Sequence, residues 1–173
     1  RGDYKFNVLM LGLGWDERKT PGPDIDVDPI VIGRNVDGQT LDANWVCFYG
    51  NPDTGWCRHS GDNRTGAGQL DETGDDERMW IDLTRVPKEI HSIDLVVNIF
   101  EAVKNKVSFG DLSRGAIRLV NVPDMGDPKG DEKIRIDLTA DDYFQATGFL
   151  AITIFRNGPA WDVKRQDLVD ARW

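Results

Sequence analysis

The sequence predicts an all-β domain, either a sandwich or a barrel, and we expect the sandwich. Ten short segments rich in β-branched and aromatic residues recur along the chain, bounded by Gly, Pro, Asn and Asp. All eight prolines fall in or beside the proposed connections. Helical patterns are brief. Many short strands separated by turns are typical of the two fold types named above.

The strands are predicted, in chain order, at Phe6–Gly12, Pro29–Ile32, Trp45–Tyr49, Trp56–His59, Met79–Leu83, Ile93–Phe100, Ala116–Asn121, Lys133–Leu138, Phe149–Phe155 and Trp161–Lys164. Thr84 is in position to cap a helical turn over Val86–His91. Thr139 and Asp142 form a capping-box pattern, which predicts a short helix to about Ala146.

The chain also contains an internal repeat at an offset of 55 residues. The segment Asp76–Thr84 matches Asp131–Thr139, and the apolar positions of residues 95–100 fall on those of residues 150–155. Each unit reads as a strand, a capped helical turn and a buried strand. We expect the two units to form the facing halves of the sandwich.

Composition limits the classes of function. A chain of 173 residues is expected to form one domain over residues 1–173, and its net charge of −9 disfavours nucleic acid and anionic lipid as partners. The chain has no secretory signal at its start and no apolar run of about 18 residues, so we expect a cytoplasmic protein without a membrane span.

Cysteine and histidine are scarce. Cys47 and Cys57 lie on predicted neighbouring strands, which leaves a disulfide open, but reduced thiols are the simpler interpretation. With His59 and His91 they lack the usual spacing of zinc ligands, and no group orients a Cys-His nucleophile. Hard oxygen ligands without soft ones favour calcium.

An alternating acidic run is the first candidate site. Asp24, Asp26 and Asp28 would share one face of an extended segment, where three like charges favour a bound cation. The run is not an EF-hand, because Pro29 stands where the loop needs Gly and Asn35 where it needs Glu. The alternative is a solvated acidic loop.

Two further acidic segments follow glycines. The side chains with ligand oxygens are Asp62 and Asn63 after Gly61, and Asp75, Asp76 and Glu77 after Gly74. The first segment lacks the Lys-Ser/Thr of a phosphate loop. Polar residues also commonly open a strand, which is the alternative interpretation of the second segment.

Together these motifs resemble the tellurite-resistance TerD family of stress proteins. The matching segments include Gly12–Asp16, Asp24–Asp28, Gly61–Gly66, Gly74–Glu77, Ile117–Asn121 and Asp137–Thr139. The resemblance implies two five-stranded sheets with calcium in acidic loops at one end. It also implies a cytoplasmic, non-enzymatic role in stress resistance, alongside other proteins of a resistance complex that include membrane-embedded ones.

Carried over, the resemblance gives a ligand set identical to the one reached from the residues: Asp24, Asp26, Asp28, Asp62, Asn63, Asp75, Asp76 and Glu77. The chain departs from the family pattern at Pro29-Ile30, in a loop lengthened by Gln69–Thr73, and in lacking a glycine-rich tail. We expect a calcium-dependent protein-binding or scaffold module. The alternatives are a metal-dependent hydrolase of phosphoesters or nucleotides, and a structural sandwich without calcium.

Overall fold

The computed structural model describes residues 6–16, 21–61, 66 and 74–169. In these ranges, ten strands form two five-stranded antiparallel sheets, which confirms the predicted sandwich and all ten strand positions. Each observed strand overlaps its predicted segment. The largest differences in length are at β2, which has eight residues, and β10, which has ten, since four were predicted for each.

Sheet A contains β1 (Val8–Trp15), β4 (Cys57–His59), β5 (Glu77–Asp82), β7 (Gly115–Val122) and β8 (Asp131–Asp137). Sheet B contains β2 (Val27–Arg34), β3 (Val46–Cys47), β6 (Ser92–Ile99), β9 (Gly148–Asn157) and β10 (Ala160–Val169). The strand order is β4-β5-β1-β7-β8 in sheet A and β10-β9-β6-β2-β3 in sheet B.

Helices are short throughout the described residues. They are α1 (Ala102–Asn105) and 3-10 turns at Ala43–Trp45, Phe109–Asp111 and Asp141–Tyr143. No helix in the described part of the chain is long and apolar enough to cross a membrane.

Both helix predictions need correction. Residues 86–91 form turns and bends instead of a helix, with the Ile90 amide donating to the Pro87 carbonyl at 3.0 Å, and the predicted cap Thr84 instead donates to the Asp82 carboxylate. The second predicted helix shrinks to Asp141–Tyr143, and its N-cap is Ala140 instead of Thr139. Thr139 is unavailable as a cap, since its amide and hydroxyl both donate to the Asp137 carboxylate.

The repeat is visible as one turn that occurs twice. After β5, the Thr84 amide and hydroxyl donate to Asp82 at 3.0 and 2.6 Å, and after β8 Thr139 makes the same bonds to Asp137 at 2.9 and 2.7 Å. Each unit passes from sheet A to sheet B, as β5 to β6 and β8 to β9. The expectation that each unit forms one half of the sandwich is therefore wrong.

The main core lies between the sheets. Alternate residues of β1, namely Leu9, Leu11 and Leu13, are at most 1% exposed and pack in one cluster with the inward residues of sheet B. A smaller apolar cluster covers part of the outer face of sheet A, where the Trp80 indole donates to the Asp127 carbonyl at 2.8 Å. The fold is thus a two-layer packing with an additional buried patch outside sheet A.

The two cysteines are buried thiols on different sheets. Cys47 belongs to β3 at the edge of sheet B and Cys57 to β4 at the edge of sheet A, so the prediction that they lie on neighbouring strands is wrong. Burial and a hydrogen bond with Cys47 raise the pKa of Cys57 well above its ordinary value. Burial and the raised pKa make the Cys57 thiol a poor nucleophile.

Candidate metal centre

Three carboxylates converge at one end of the sandwich. One oxygen each from Asp26, Asp28 and Glu77 lies within 4.8 Å of the other two. Asp28 is 2% exposed and Glu77 is fully buried. Among the described residues, this is the one group in which three His, Cys, Asp or Glu side chains come so close. We call it the carboxylate cluster.

Apolar neighbours hold the first two carboxylates in place. Ile25 and Val27 are fully buried in the main core, and the Trp15 indole donates to the Ile25 carbonyl at 3.0 Å. Because side chains alternate along an extended segment, fixing Ile25 and Val27 in the core turns Asp26 and Asp28 to the opposite face. The predicted shared face of this run is therefore formed for two of its three carboxylates.

Glu77 enters the cluster from sheet A. It is the first residue of β5 and pairs with Leu13, whose side chain is in the core. Its Oε1 lies 3.0 Å from His59 Nε2, and both side chains are fully buried. The Gly61 amide donates to His59 Nδ1 at 2.9 Å. Since Nδ1 accepts, Nε2 of the neutral ring carries the proton and faces the Glu77 carboxylate.

The spacing and chemistry of the carboxylate cluster fit a hard divalent cation. Two charges about 5 Å apart repel by about 3 kcal/mol at an effective dielectric constant of about 20. Oxygens on opposite sides of a calcium ion are also separated by about 5 Å, which is twice the usual ligand distance. An ion among the three oxygens would replace this repulsion with attraction. All donors are oxygens, which suits calcium better than zinc or copper.

Asp75 takes a different role from the one the sequence predicted. Its carboxylate accepts from Arg78 Nε at 2.9 Å and from Arg118 Nε and Nη2 at 3.1 and 2.8 Å, and the residue is 2% exposed. It is not part of the carboxylate cluster. The two guanidinium groups instead fix the segment that leads into Glu77. Neither arginine was among the residues singled out in the sequence.

Glycines in β1 make this arrangement possible. A Cβ at Gly12 would lie 2.6 Å from the Asp75 carboxylate oxygens, and one at Gly14 would lie 1.9 Å from the Gly74 carbonyl. Residues 74 and 75 therefore cross directly over the end of β1, where Gly12 and Gly14 place no side chain on that face. The two glycines of the Gly12-Leu13-Gly14 motif therefore leave the space that this crossing segment occupies.

Asp76 ties the ends of β1 and β5 together. Its amide donates to the Leu13 carbonyl at 2.8 Å, and its Oδ2 accepts from the Trp15 amide at 2.8 Å. Burial raises the pKa of Asp76 from 3.8 to about 6, with smaller contributions from Asp16 and Asp75, while the Trp15 hydrogen bond lowers it. The structure does not bring Asp76 into the carboxylate cluster.

Three predicted ligands remain, namely Asp24, Asp62 and Asn63. Asp24 is exposed and is not a member of the cluster. Asp62 and Asn63 lie outside the described residues, as does the lengthened loop at Gln69–Thr73.

His59 is a site residue that sequence reasoning missed. Alternation along the short strand Cys57–His59 indicates that residues 57 and 59 point inward, and that signal was present. Its pairing with Glu77 depends on the register of β4 against β5, in which His59 lies opposite Met79. Register across a 17-residue connection is not readable from local pattern.

A cavity of about 360 Å³ opens beside Asp75 on sheet A. The positive and negative charges that line the cavity balance, because Arg118 pairs with Asp75 and Arg114 Nε lies 3.4 Å from Asp16 Oδ2. It therefore does not favour a ligand of either charge.

Comparison with known proteins agrees with this architecture. The family model of the TerD domain matches residues 2–166. The chain belongs to the TerD domain family. The resemblance found in the sequence motifs is thereby confirmed.

Two curated TerD relatives match most of the chain. Tellurium resistance protein TerD of an Alcaligenes species is 38% identical, over 88% of this chain and 76% of the relative. General stress protein 16U of Bacillus subtilis strain 168 is 35% identical, over 90% of this chain and 77% of the relative. The family is thus one of tellurium-resistance and stress-response proteins.

Solved TerD-like structures share the fold. One described as a homologue of telluride resistance protein TerD from Streptomyces coelicolor A3(2) has a TM-score of 0.76 at 21% identity, covering 95% of this chain and 89% of that one. A protein of unknown function has a TM-score of 0.78 at 16% identity, covering 97% and 92%. At these identities the likeness concerns the fold alone.

The first prediction concerns the role of Asp75. Replacing Asp75 with Asn should lower the free energy of unfolding by about 3 kcal/mol, because it removes the charge that two largely buried arginines share. Asp131→Asn is the control, since that carboxylate is 71% exposed and should contribute less than about 1 kcal/mol. Urea unfolding in calcium-free buffer measures both variants. Equal losses in the two variants would contradict the buried ion-pair role.

The second prediction concerns pH. A carboxyl group whose pKa is raised on folding stabilises the fold below its unfolded pKa, and this contribution is lost as the pH rises through the folded value, here about 6. Without calcium, wild type should therefore lose about 2 kcal/mol relative to Asp76→Asn between roughly pH 4 and pH 7. Urea unfolding across this range tests it, and parallel stability curves would exclude the raised pKa.

Proposed function

We propose that this TerD-family chain is a calcium-binding module in which Asp26, Asp28 and Glu77 hold a Ca²⁺ ion. The observation that supports the proposal is the convergence of three carboxylate oxygens within 4.8 Å at a largely buried position. Calcium takes oxygen ligands at about 2.3–2.6 Å in flexible geometry, which this donor set suits. The buried contact of 3.0 Å between His59 Nε2 and Glu77 Oε1 would hold Glu77 in a fixed orientation for the ion.

Other groups would complete the coordination. Calcium takes about six to eight oxygens, and three carboxylates supply three to six of them. Asp62 and Asn63 stay candidate ligands for two reasons. They directly follow Gly61, whose amide donates to His59 beside the cluster, and their side chains carry oxygen ligands. Asp24 precedes the cluster by two residues and also stays a candidate. Water can fill the remaining positions.

Calcium at this position would join the two sheets. Asp26 and Asp28 lie at the start of β2 in sheet B, while Glu77 begins β5 in sheet A. An ion bound to all three would fix the loops at that end of the sandwich and stabilise the folded state by mass action. Its chemical contribution is electrostatic neutralisation and ordering.

We propose that the ordered end presents a surface for protein partners, as a cytoplasmic, non-enzymatic scaffold in a stress response. The names of the relatives support the stress-response part, since they are tellurium-resistance and general stress proteins. The coupling to calcium gives such a scaffold a switch, because ion binding changes the order of the loops that contact a partner.

Calcium titration by isothermal calorimetry tests the proposal, with thermal unfolding in parallel. Wild type should bind calcium and gain about 2.7 kcal/mol of stability at a free concentration of about 100 Kd. Glu77→Gln keeps an acceptor for the His59 proton but removes a charge, and should weaken calcium binding at least roughly tenfold, or about 1.4 kcal/mol. Asp131→Asn should bind calcium as wild type does, because Asp131 begins β8 at the end of the sandwich far from the carboxylate cluster.

Two outcomes would contradict the proposal. Absence of heat and of a thermal shift at millimolar calcium would mean that the carboxylate cluster does not bind this ion. Equal affinity in wild type and Glu77→Gln would place any calcium site elsewhere in the chain.

A further inference from the structure

Exposed apolar side chains concentrate at one end of the sandwich. This end, where β1 and β6 finish and β2, β5 and β9 begin, is the one that carries the carboxylate cluster. Of the eight large hydrophobic residues that are exposed in the described part of the chain, six lie there: Tyr49, Phe100, Val103, Phe144, Leu168 and Val169. The other two, Val36 and Leu41, lie at the opposite end, between β2 and β3. A concentration of this kind indicates an interaction surface.

Part of this surface is an open groove of about 680 Å³. Its apolar walls are Phe144 and Val169, which are 58% and 48% exposed. The carboxylates of Asp141 and Asp142 lie on its rim, and its described lining contains no Lys or Arg. The groove therefore combines apolar walls with negatively charged residues.

The exposed Phe144 stands on a fixed backbone. Its carbonyl accepts from the Gly110 amide and from the Ser108 hydroxyl, both at 2.8 Å. A Cβ at Gly110 would lie 2.9 Å from the Phe144 ring, so the glycine lets that ring lie close against the neighbouring turn. An aromatic side chain held in this way loses little conformational entropy when a partner covers it.

We propose that this groove binds a basic amphipathic segment of a partner protein. A bulky apolar side chain of the segment would contact Phe144 and Val169, and flanking Lys or Arg side chains would pair with Asp141 and Asp142. Charge complementarity decides between partners, because the rim is acidic and the whole chain carries a net charge of −9. An anionic bilayer would be repelled by the same charges.

Two consecutive amides link the groove to the carboxylate cluster. The Ile99 amide donates to the carbonyl of Thr147, which lines the groove, and the Phe100 amide donates to the carbonyl of Asp26, both at 2.8 Å. Calcium on Asp26 would therefore fix one wall of the groove. This regulatory step rests on the proposed calcium site, whereas the binding of a basic segment does not.

Binding is tested by fluorescence anisotropy with two synthetic peptides in about 0.15 M salt. One is an amphipathic Lys/Leu helix, and the other has every Leu replaced by Gln and so has the same charge. Wild type should bind the Leu peptide at least about tenfold more tightly. Phe144→Ser should abolish that preference, while Val36→Ser, a change at another exposed apolar residue at the far end, should leave it unchanged.

Asp141→Asn with Asp142→Asn should weaken the binding of both peptides. Equal affinity of wild type for the two peptides would overturn the proposal, as would equal losses in Phe144→Ser and Val36→Ser. Sedimentation with phosphatidylserine vesicles tests whether the surface binds a membrane instead. Vesicle binding that Phe144→Ser abolishes, without any peptide preference in wild type, would assign the surface to a membrane and overturn the proposal.

Repeating the peptide titration in calcium and in EDTA separates the two proposals. Tighter peptide binding in calcium supports the regulatory link. Unchanged peptide affinity in a protein that binds calcium by calorimetry would overturn that link alone. Loss of the peptide preference in Phe144→Ser supports the groove even if calorimetry shows no calcium binding.

Discussion

Three carboxylates drawn from two sheets lie within 4.8 Å of one another at one end of the sandwich, and the local structure is arranged around keeping them there. Ile25 and Val27 fix one side through core packing, and His59 Nε2 lies 3.0 Å from Glu77 Oε1 in a fully buried contact on the other side. Burying like charges this closely opposes folding, so the arrangement persists because these surrounding contacts outweigh the repulsion. Such a site is poised to gain stability from a cation.

The consecutive acidic residues Asp75, Asp76 and Glu77 have three different structural roles, because each side chain lies in a different environment. Asp75 lies over Gly12 of β1 and forms ion pairs with two arginines. Asp76 accepts from the Trp15 amide where β1 ends. Only Glu77 lies within the regular pairing of β5 and points toward the core. The first two carboxylates therefore position the third, a division of roles that depends on strand pairing more than on residue type.

Glu77 was one of eight predicted ligands, chosen from the acidic residues after Gly74, whereas the local pattern was sufficient for the strands and for the shared face of Asp26 and Asp28. Alternation of polar and apolar residues placed these carboxylates, because it reports directly which face a strand buries. The arginine partners of Asp75, the contact of His59 with Glu77 and the passage of each repeat between sheets depend on register and topology. Those are set by contacts between distant segments, such as the 43 residues that separate Asp75 from Arg118.

The same end of the molecule combines a candidate cation site with an apolar, acidic groove, joined through the last residues of β6. The most direct test of the central claim is a crystal structure grown in calcium, with anomalous scattering to locate the ion. The account predicts one calcium ion within about 2.6 Å of oxygens from Asp26, Asp28 and Glu77. A calcium-saturated crystal with no anomalous peak among these three carboxylates would contradict it.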